Sequence, residues 1–220
     1  MTVVFLDALG TLVRLEPPAP RLRALLAEQG HEVSEERAAA AFRAEISYYL
    51  EHHLDGWDED ALDNLRDRCA AVLLEALHLH ELDHARARRV MLDALSFEPY
   101  PEVPATLDVL RERDIALIAV SNWDCSLSGW LADAGVLGLL DGVVSSGAAG
   151  VAKPDPAIFQ RALAYAGVEA EEALHVGDSL DKDVAGARAA RIRAVLVCRE
   201  GEPPPGVETI ATLADLPSLL

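Results

Sequence analysis

Residues 5–13 read FLDALGTLV. An apolar run stops on Asp7, and a Gly-Thr pair follows at positions 10 and 11. This is the pattern of a buried strand that ends on a carboxylate and a tight turn. Similar apolar runs recur along the chain: TVVFL at 2–6, IALIAV at 115–120, GVVSS at 142–146, ALHV at 173–176 and RAVLVC at 193–198, each followed by a loop and a helical pattern. Strands that are apolar almost throughout, separated by helices, predict a parallel sheet covered on both faces.

The predicted fold class is therefore α/β, a Rossmann-like doubly wound parallel sheet. The first connection is too long for it. Residues 7–114 separate the first two strands, where an ordinary crossover needs far fewer. The intervening chain is helical in period. RLRALLAEQG ends at a glycine, SEERAAAAFRAEISYYLEHHL opens on a serine, and DEDALDNLRDRCAAVLLEALHL opens on an acidic first turn. An all-helical cap of about four helices is expected at 15–97, set over the carboxyl end of the first strand, with 1–14 and 98–220 forming the core domain. FEPYPEVPATLDVLRERD, with three prolines, returns the chain to the core, and REGEPPPGVE at 199–208 reads as a surface loop.

Composition narrows the partners. A formal charge of −18 repels nucleic acid phosphates, so no nucleic-acid partner is expected. No apolar run approaches the about 18 residues of a membrane span, the N-terminus lacks a basic leader, and no membrane association is expected. Cys69, Cys125 and Cys198 are few and widely spaced, which suits a reducing compartment, and the cytoplasm is the expected location. No sequence feature specifies an oligomeric state.

In open α/β sheets ligands bind beyond the carboxyl ends of the strands. Asp7, Gly10 and Thr11 follow the first strand, Ser121 and Asn122 the second, and Gly177, Asp178, Ser179 and Asp183 the fourth. Lys153, one of only two lysines with Lys182, precedes the helix DPAIFQRALAYAG. Asp7 has the character of a nucleophile if a neighbouring cation offsets its charge. Asp178 supplies a second hard oxygen ligand of the type Mg²⁺ prefers. Ser121 and Asn122 are suited to bind phosphoryl oxygens, and Lys153 to balance the charge on the nucleophile and the transferring group. A phosphorylated small molecule is the expected substrate.

Taken together these segments resemble the motifs of the haloacid dehalogenase-like hydrolase superfamily: DALGTL its first, VSN its second, KPDPAIF its third and HVGDSLDKDVAGARAA its fourth. The order and spacing span the whole core, and the helical insert between the first two motifs is similar to the family's four-helix cap. The resemblance implies an aspartyl intermediate on Asp7. It also implies Mg²⁺ held by Asp7, the main-chain carbonyl of Leu9 and Asp178, with Asp183 in the acidic pair behind the metal.

Leu9 departs from that pattern. The family's phosphatases carry there a second aspartate that protonates the leaving alcohol and later activates water, and leucine can do neither. The family's dehalogenases also lack that acid, but they work without metal and do not keep the acidic pair, which GDSLDKD retains. Without a cation, Asp7 beside those carboxylates would be strongly repelled. Phosphatase-type chemistry with impaired acid–base assistance is the favoured expectation. The alternatives are a 2-haloacid dehalogenase-like hydrolase and a catalytically weak protein that binds metal and phosphate. A phosphonatase needs a Schiff-base lysine in the cap, and 15–97 has none.

Four further features stand out in the sequence. HELDH at 80–84 matches the H-E-x-x-H zinc pattern but has no third ligand in sight. His52, His53 and Trp57 are candidates for a cap surface facing the substrate. Asp124 suits a helix N-cap better than a replacement acid. Arg14 could reach the cavity or stay on the surface.

Overall fold

The structure is a computed structural model and describes residues 2–220. Strand β1 (Val3–Leu6) is buried at every position. The chain then runs through β2 (Val13–Leu15), helices α1 (Pro18–Glu28), α2 (Glu35–His52), α3 (Glu59–Leu77) and α4 (His84–Ala94), and β3 (Phe97–Pro99). The remainder alternates: α5 (Val103–Arg111), β4 (Ala116–Ser121), α6 (Leu127–Asp133), β5 (Gly142–Ser145), α7 (Ser146–Ala149), α8 (Pro156–Ala166), β6 (Ala173–Gly177), α9 (Gly186–Ala189), β7 (Arg193–Val197) and β8 (Thr209–Ile210).

Six strands form one parallel sheet in the order β5-β4-β1-β6-β7-β8. Side chains alternate across it with period two. Val4 and Leu6 join the apolar cluster on one face with Leu117 and Ala119, while Val3 and Phe5 join the cluster on the other with Ile118 and Val120. Both faces are buried, which is why these strands read as continuous apolar runs.

Helices α1–α4 enclose a separate apolar cluster that includes Leu22, Phe42, Leu73 and Met91. Their starts follow local chemistry. Ser34 accepts a hydrogen bond from the Arg37 N–H and Asp58 from the Ala61 N–H, each satisfying an otherwise orphaned donor at a helix N-terminus.

Three strands were not foreseen. β2 and β3 pair antiparallel as a ribbon carrying both crossings between the sheet and the helical layer, and three residues are too few for a periodic signal. β8 pairs with β7 beyond the Pro/Gly segment. That segment corrects the surface-loop reading at its first residue, because Arg199 folds inward. Among the described residues no helix is long and apolar enough to cross a membrane.

Candidate active site

β1 sits where the strand order turns outward, to β4 on one side and β6 on the other, and a crevice opens at their carboxyl ends. Asp7 leaves β1 into it and is buried, its N–H still donating to the Val176 carbonyl at 2.9 Å. The Ser121 hydroxyl, at the end of β4, donates to Asp7 Oδ1 at 2.9 Å. Lys153 Nζ donates to the same oxygen at 2.6 Å and to Asp183 Oδ1 at 2.5 Å. Asp183 also pairs through Oδ1 with His175 Nε2 at 2.8 Å and accepts the Ser179 N–H on Oδ2 at 2.9 Å. Asp7, Asp178 and Asp183 each offer an oxygen, all within 4.8 Å of one another.

Two glycines make this convergence possible. Gly10 has φ +88°, and a Cβ there would stand 2.2 Å from Asp178 Oδ2. A Cβ at Gly177 would stand 2.2 Å from the Asp183 carboxyl carbon. Any side chain at either position would displace a carboxylate.

Burial raises the pKa of Asp7, with Lys153 acting against it and the charge on Asp183 adding to it. Burial opposes the charge on Asp183 too, but Lys153 and His175 outweigh it and hold that carboxyl well below the usual range. The same balance keeps Lys153 charged: burial disfavours the ammonium, and Asp7 and Asp183 more than restore it. Asp178 stands at the open rim with its carboxyl turned toward the others. Burial first, then the charges of Asp7 and Asp183, push its pKa up to about 6.

The other predicted residues are placed as follows. Asn122 is turned to the backbone: its Oδ1 accepts the Lys153 N–H at 2.7 Å and its Nδ2 donates to the Lys153 carbonyl at 2.9 Å. That clamp holds the lysine's loop and leaves one amide hydrogen for a ligand. The Leu9 side chain is 41% exposed and lines a cavity beneath the helical layer. Asp124 is not an N-cap in the strict sense, because α6 begins after Ser126. Instead its Oδ1 accepts from the Ser126 N–H and hydroxyl, and its Oδ2 accepts from the Tyr49 hydroxyl of α2 at 3.0 Å.

Arg14 pairs with Glu16 and Glu98 on the exposed β2–β3 ribbon. His52 stacks on Tyr48 with ring centroids 4.1 Å apart. His53 is buried with Nδ1 on the Leu50 carbonyl, and Trp57 is exposed. HELD at 80–83 lies in the turn between α3 and α4 and His84 opens α4, so His80 and His84 do not share a helix face. The three cysteines are free thiols.

Two residues at the site escaped the sequence reading. His175 is a lone histidine in an apolar strand, fully buried behind Asp183. Arg199 donates from Nε to the Gly10 carbonyl at 3.1 Å and from Nη2 to the Thr11 carbonyl at 3.0 Å. It also pairs with Glu102 at 2.6 Å and stacks 3.4 Å from the centre of the Tyr100 ring. It thereby pins the turn that follows Asp7 to the chain returning from the helical layer. The histidine's isolation in its strand was a readable signal, whereas the arginine's placement depends on tertiary contacts alone.

This geometry agrees with the comparisons. A family model described as haloacid dehalogenase-like hydrolase matches residues 1–191, and the chain belongs to that family of hydrolases. It is 32% identical over 208 residues to the human haloacid dehalogenase-like hydrolase domain-containing protein 3, covering 87% of this chain and 79% of the human protein. A phosphoserine phosphatase from Thermus thermophilus is 45% identical over 101 residues, 46% of this chain and 41% of that enzyme, so the match spans less than half of that relative's length. A crystal structure of a phosphatase of the family from Thermococcus onnurineus superposes with a TM-score of 0.68 at 25% identity, covering 100% and 97% of the two chains. A 2-haloacid dehalogenase from Pseudomonas syringae shares the fold, with a TM-score of 0.70 at 24% identity and the same coverage.

Proposed function

We propose that the protein is a Mg²⁺-dependent, phosphatase-type hydrolase that acts on a phosphorylated small molecule through an aspartyl phosphate on Asp7. The observation that carries this reading is the charge of the site. Three carboxylates lie within 4.8 Å of one another, and Lys153 is the one ammonium paired with them among the described residues. Two formal negative charges are left over, which one divalent cation would cancel, and hard carboxylate oxygens suit Mg²⁺. A dehalogenase would have to bring an anionic haloacid to that uncompensated charge, so the geometry favours the phosphatase reading. The similarity to named phosphatases supports it. The cap at 15–97 and the core at 1–14 and 98–220 are part of the proposal. So is a cytoplasmic location, supported by the free, widely spaced cysteines.

Asp7, Asp178 and the Leu9 carbonyl would hold the ion. Both Asp183 oxygens already accept from protein donors, so Asp183 acts behind them, fixing Lys153. When bound, the metal would offset phosphoryl charge so that a carboxylate can approach. Asp7 Oδ1 is held by Lys153 and Ser121, which leaves Oδ2 as the oxygen to attack. Oδ2 forms a bond to phosphorus while the bond to the leaving oxygen breaks and that oxygen departs with its electron pair. Water then attacks the same phosphorus, the bond to Asp7 breaks, the carboxylate is restored with the bonding electron pair, and the water's oxygen and protons leave as part of the inorganic phosphate. Neither step receives a proton transfer from position 9. Lys153 balances charge throughout, the remaining amide hydrogen of Asn122 is available to a phosphoryl oxygen, and Ser121 would donate to one only by turning its single hydroxyl hydrogen from Asp7.

The test is a screen of acyl phosphates, phosphate monoesters and 2-haloacids with and without Mg²⁺. Turnover of activated phosphates should require Mg²⁺, and Asp178→Asn should lose the upward shift in melting temperature that Mg²⁺ gives the parent. Halide release without metal would establish the dehalogenase reading instead. Binding of Mg²⁺ and phosphate with no turnover of any compound would establish the binding protein.

A further inference from the structure

Between the helical layer and the sheet edge lies a cavity of about 110 Å³ that reaches the site at Leu9 and Asn122. Its walls include Tyr49, Met91, Phe97, Trp123 and Trp130. Phe97 meets both tryptophan rings edge-on, at centroid separations of 4.9 and 5.1 Å, so that wall is stiff. Benzene fits an apolar protein cavity of roughly 150 Å³; this one is smaller, at about 110 Å³, but opens onto the site, so it takes a short branched chain whole and a small ring with one edge left in the opening.

The polar groups in the wall are few and mostly committed. Asp124 is taken by Ser126 and Tyr49. Glu45 of α2 is 5% exposed, with the Cys69 thiol beside its carboxyl. Its burial pushes the carboxyl up to about 7. Arg66 is the single cation among the lining residues, which also include the carboxyl groups of Glu45 and Asp124, so an anionic substituent gains no net attraction there.

We infer that this cavity receives the organic part of the substrate and selects a compact, mainly apolar leaving group bearing one hydrogen-bond donor, which Glu45 accepts. The inference rests on the reading of Asp7 as phosphoryl acceptor. It also gives Leu9 a positive role: the side chain forms the inner apolar wall where an acid would otherwise stand. A polyol would bring several hydroxyls to a surface with one acceptor to spare, and each unpaired hydroxyl should cost about tenfold or more in selectivity.

The experiment compares kcat/KM for phenyl phosphate, 4-aminophenyl phosphate, glycerol 1-phosphate and phosphoglycolate in the parent, Glu45→Gln and Glu45→Leu. Calorimetric binding of phenylphosphonate and 4-aminophenylphosphonate reads the cavity independently of turnover. The aryl compounds should exceed glycerol 1-phosphate and phosphoglycolate by at least about tenfold. The preference for the amino-bearing compound over its parent ring should fall about tenfold in Glu45→Leu and by less in Glu45→Gln, whose amide oxygen still accepts. Preference for the polyol or the carboxylate-bearing phosphate, or an unchanged amino-to-plain ratio in Glu45→Leu, overturns the inference. If no phosphate is turned over but the phosphonates bind in the predicted order, the cavity assignment stands and the hydrolytic reading fails.

Discussion

A Lys153→Met protein is expected to lose all measurable phosphate turnover and about 3–5 kcal/mol of stability at neutral pH, while Lys153→Arg keeps part of both. Lys153 is buried and bridges Asp7 and Asp183. Removing it leaves two buried carboxylates without their shared cation. The sign of the pH dependence follows from the direction of the shifts. In the parent, the depressed Asp183 contributes stability that is present above the ordinary carboxylate pKa of about 4 and is lost as pH falls through its lowered value. Without Lys153 the Asp183 pKa rises above the ordinary value of about 4 and the already raised pKa of Asp7 climbs further, so the variant should lose more stability than the parent as pH climbs from there toward neutrality. Denaturant titrations of both variants at pH 5 and pH 7, with turnover of an aryl phosphate, check this. Identical behaviour of Met and Arg would remove Lys153 from the mechanism.

Leu9→Asp should raise turnover of simple alkyl phosphates by up to about 10²–10⁴-fold, equivalent to about 3–5 kcal/mol of barrier, and should change activated phosphates far less. An alkoxide leaves poorly without a proton, whereas an acyl or aryl phosphate leaves without one. The Leu9 side chain borders the cavity, and a carboxyl in that apolar wall would have its pKa raised toward the range an acid needs. Steady-state kinetics on paired alkyl and aryl phosphates measure the ratio directly. Fast alkyl phosphate hydrolysis by the parent, with no gain in the variant, would mean that another group such as Asp124 performs the acid step.

The sheet was legible because each central strand is buried on both faces, so 2–6, 115–120 and 173–176 stand out as apolar runs with polar residues at their ends. The meeting of Asp7, Ser121, Lys153, Asp178 and Asp183 at one edge followed from where parallel strands put their carboxyl ends. Side-chain partners were less legible. Nothing in VSN tells that Asn122 clamps the Lys153 backbone instead of pointing wholly at a ligand, because that depends on a loop from elsewhere in the chain. Arg199 was hidden in a Pro/Gly segment, and its partners Gly10, Thr11, Tyr100 and Glu102 come together only when the ribbon closes. Glu45 lay in an alanine-rich helix, where one glutamate reads as solvated until the packing of α2 on α3 buries it.

Phosphoryl transfer through Asp7 is tested most directly by trapping. The protein is mixed with acetyl phosphate and Mg²⁺, quenched in acid, digested, and the peptide containing residues 5–13 is analysed by mass spectrometry. A phosphoryl group is expected on Asp7, accumulating because position 9 cannot activate water, and absent from Asp7→Asn. Steady hydrolysis with Asp7 unmodified, or a phosphoryl group found on another residue, would contradict it.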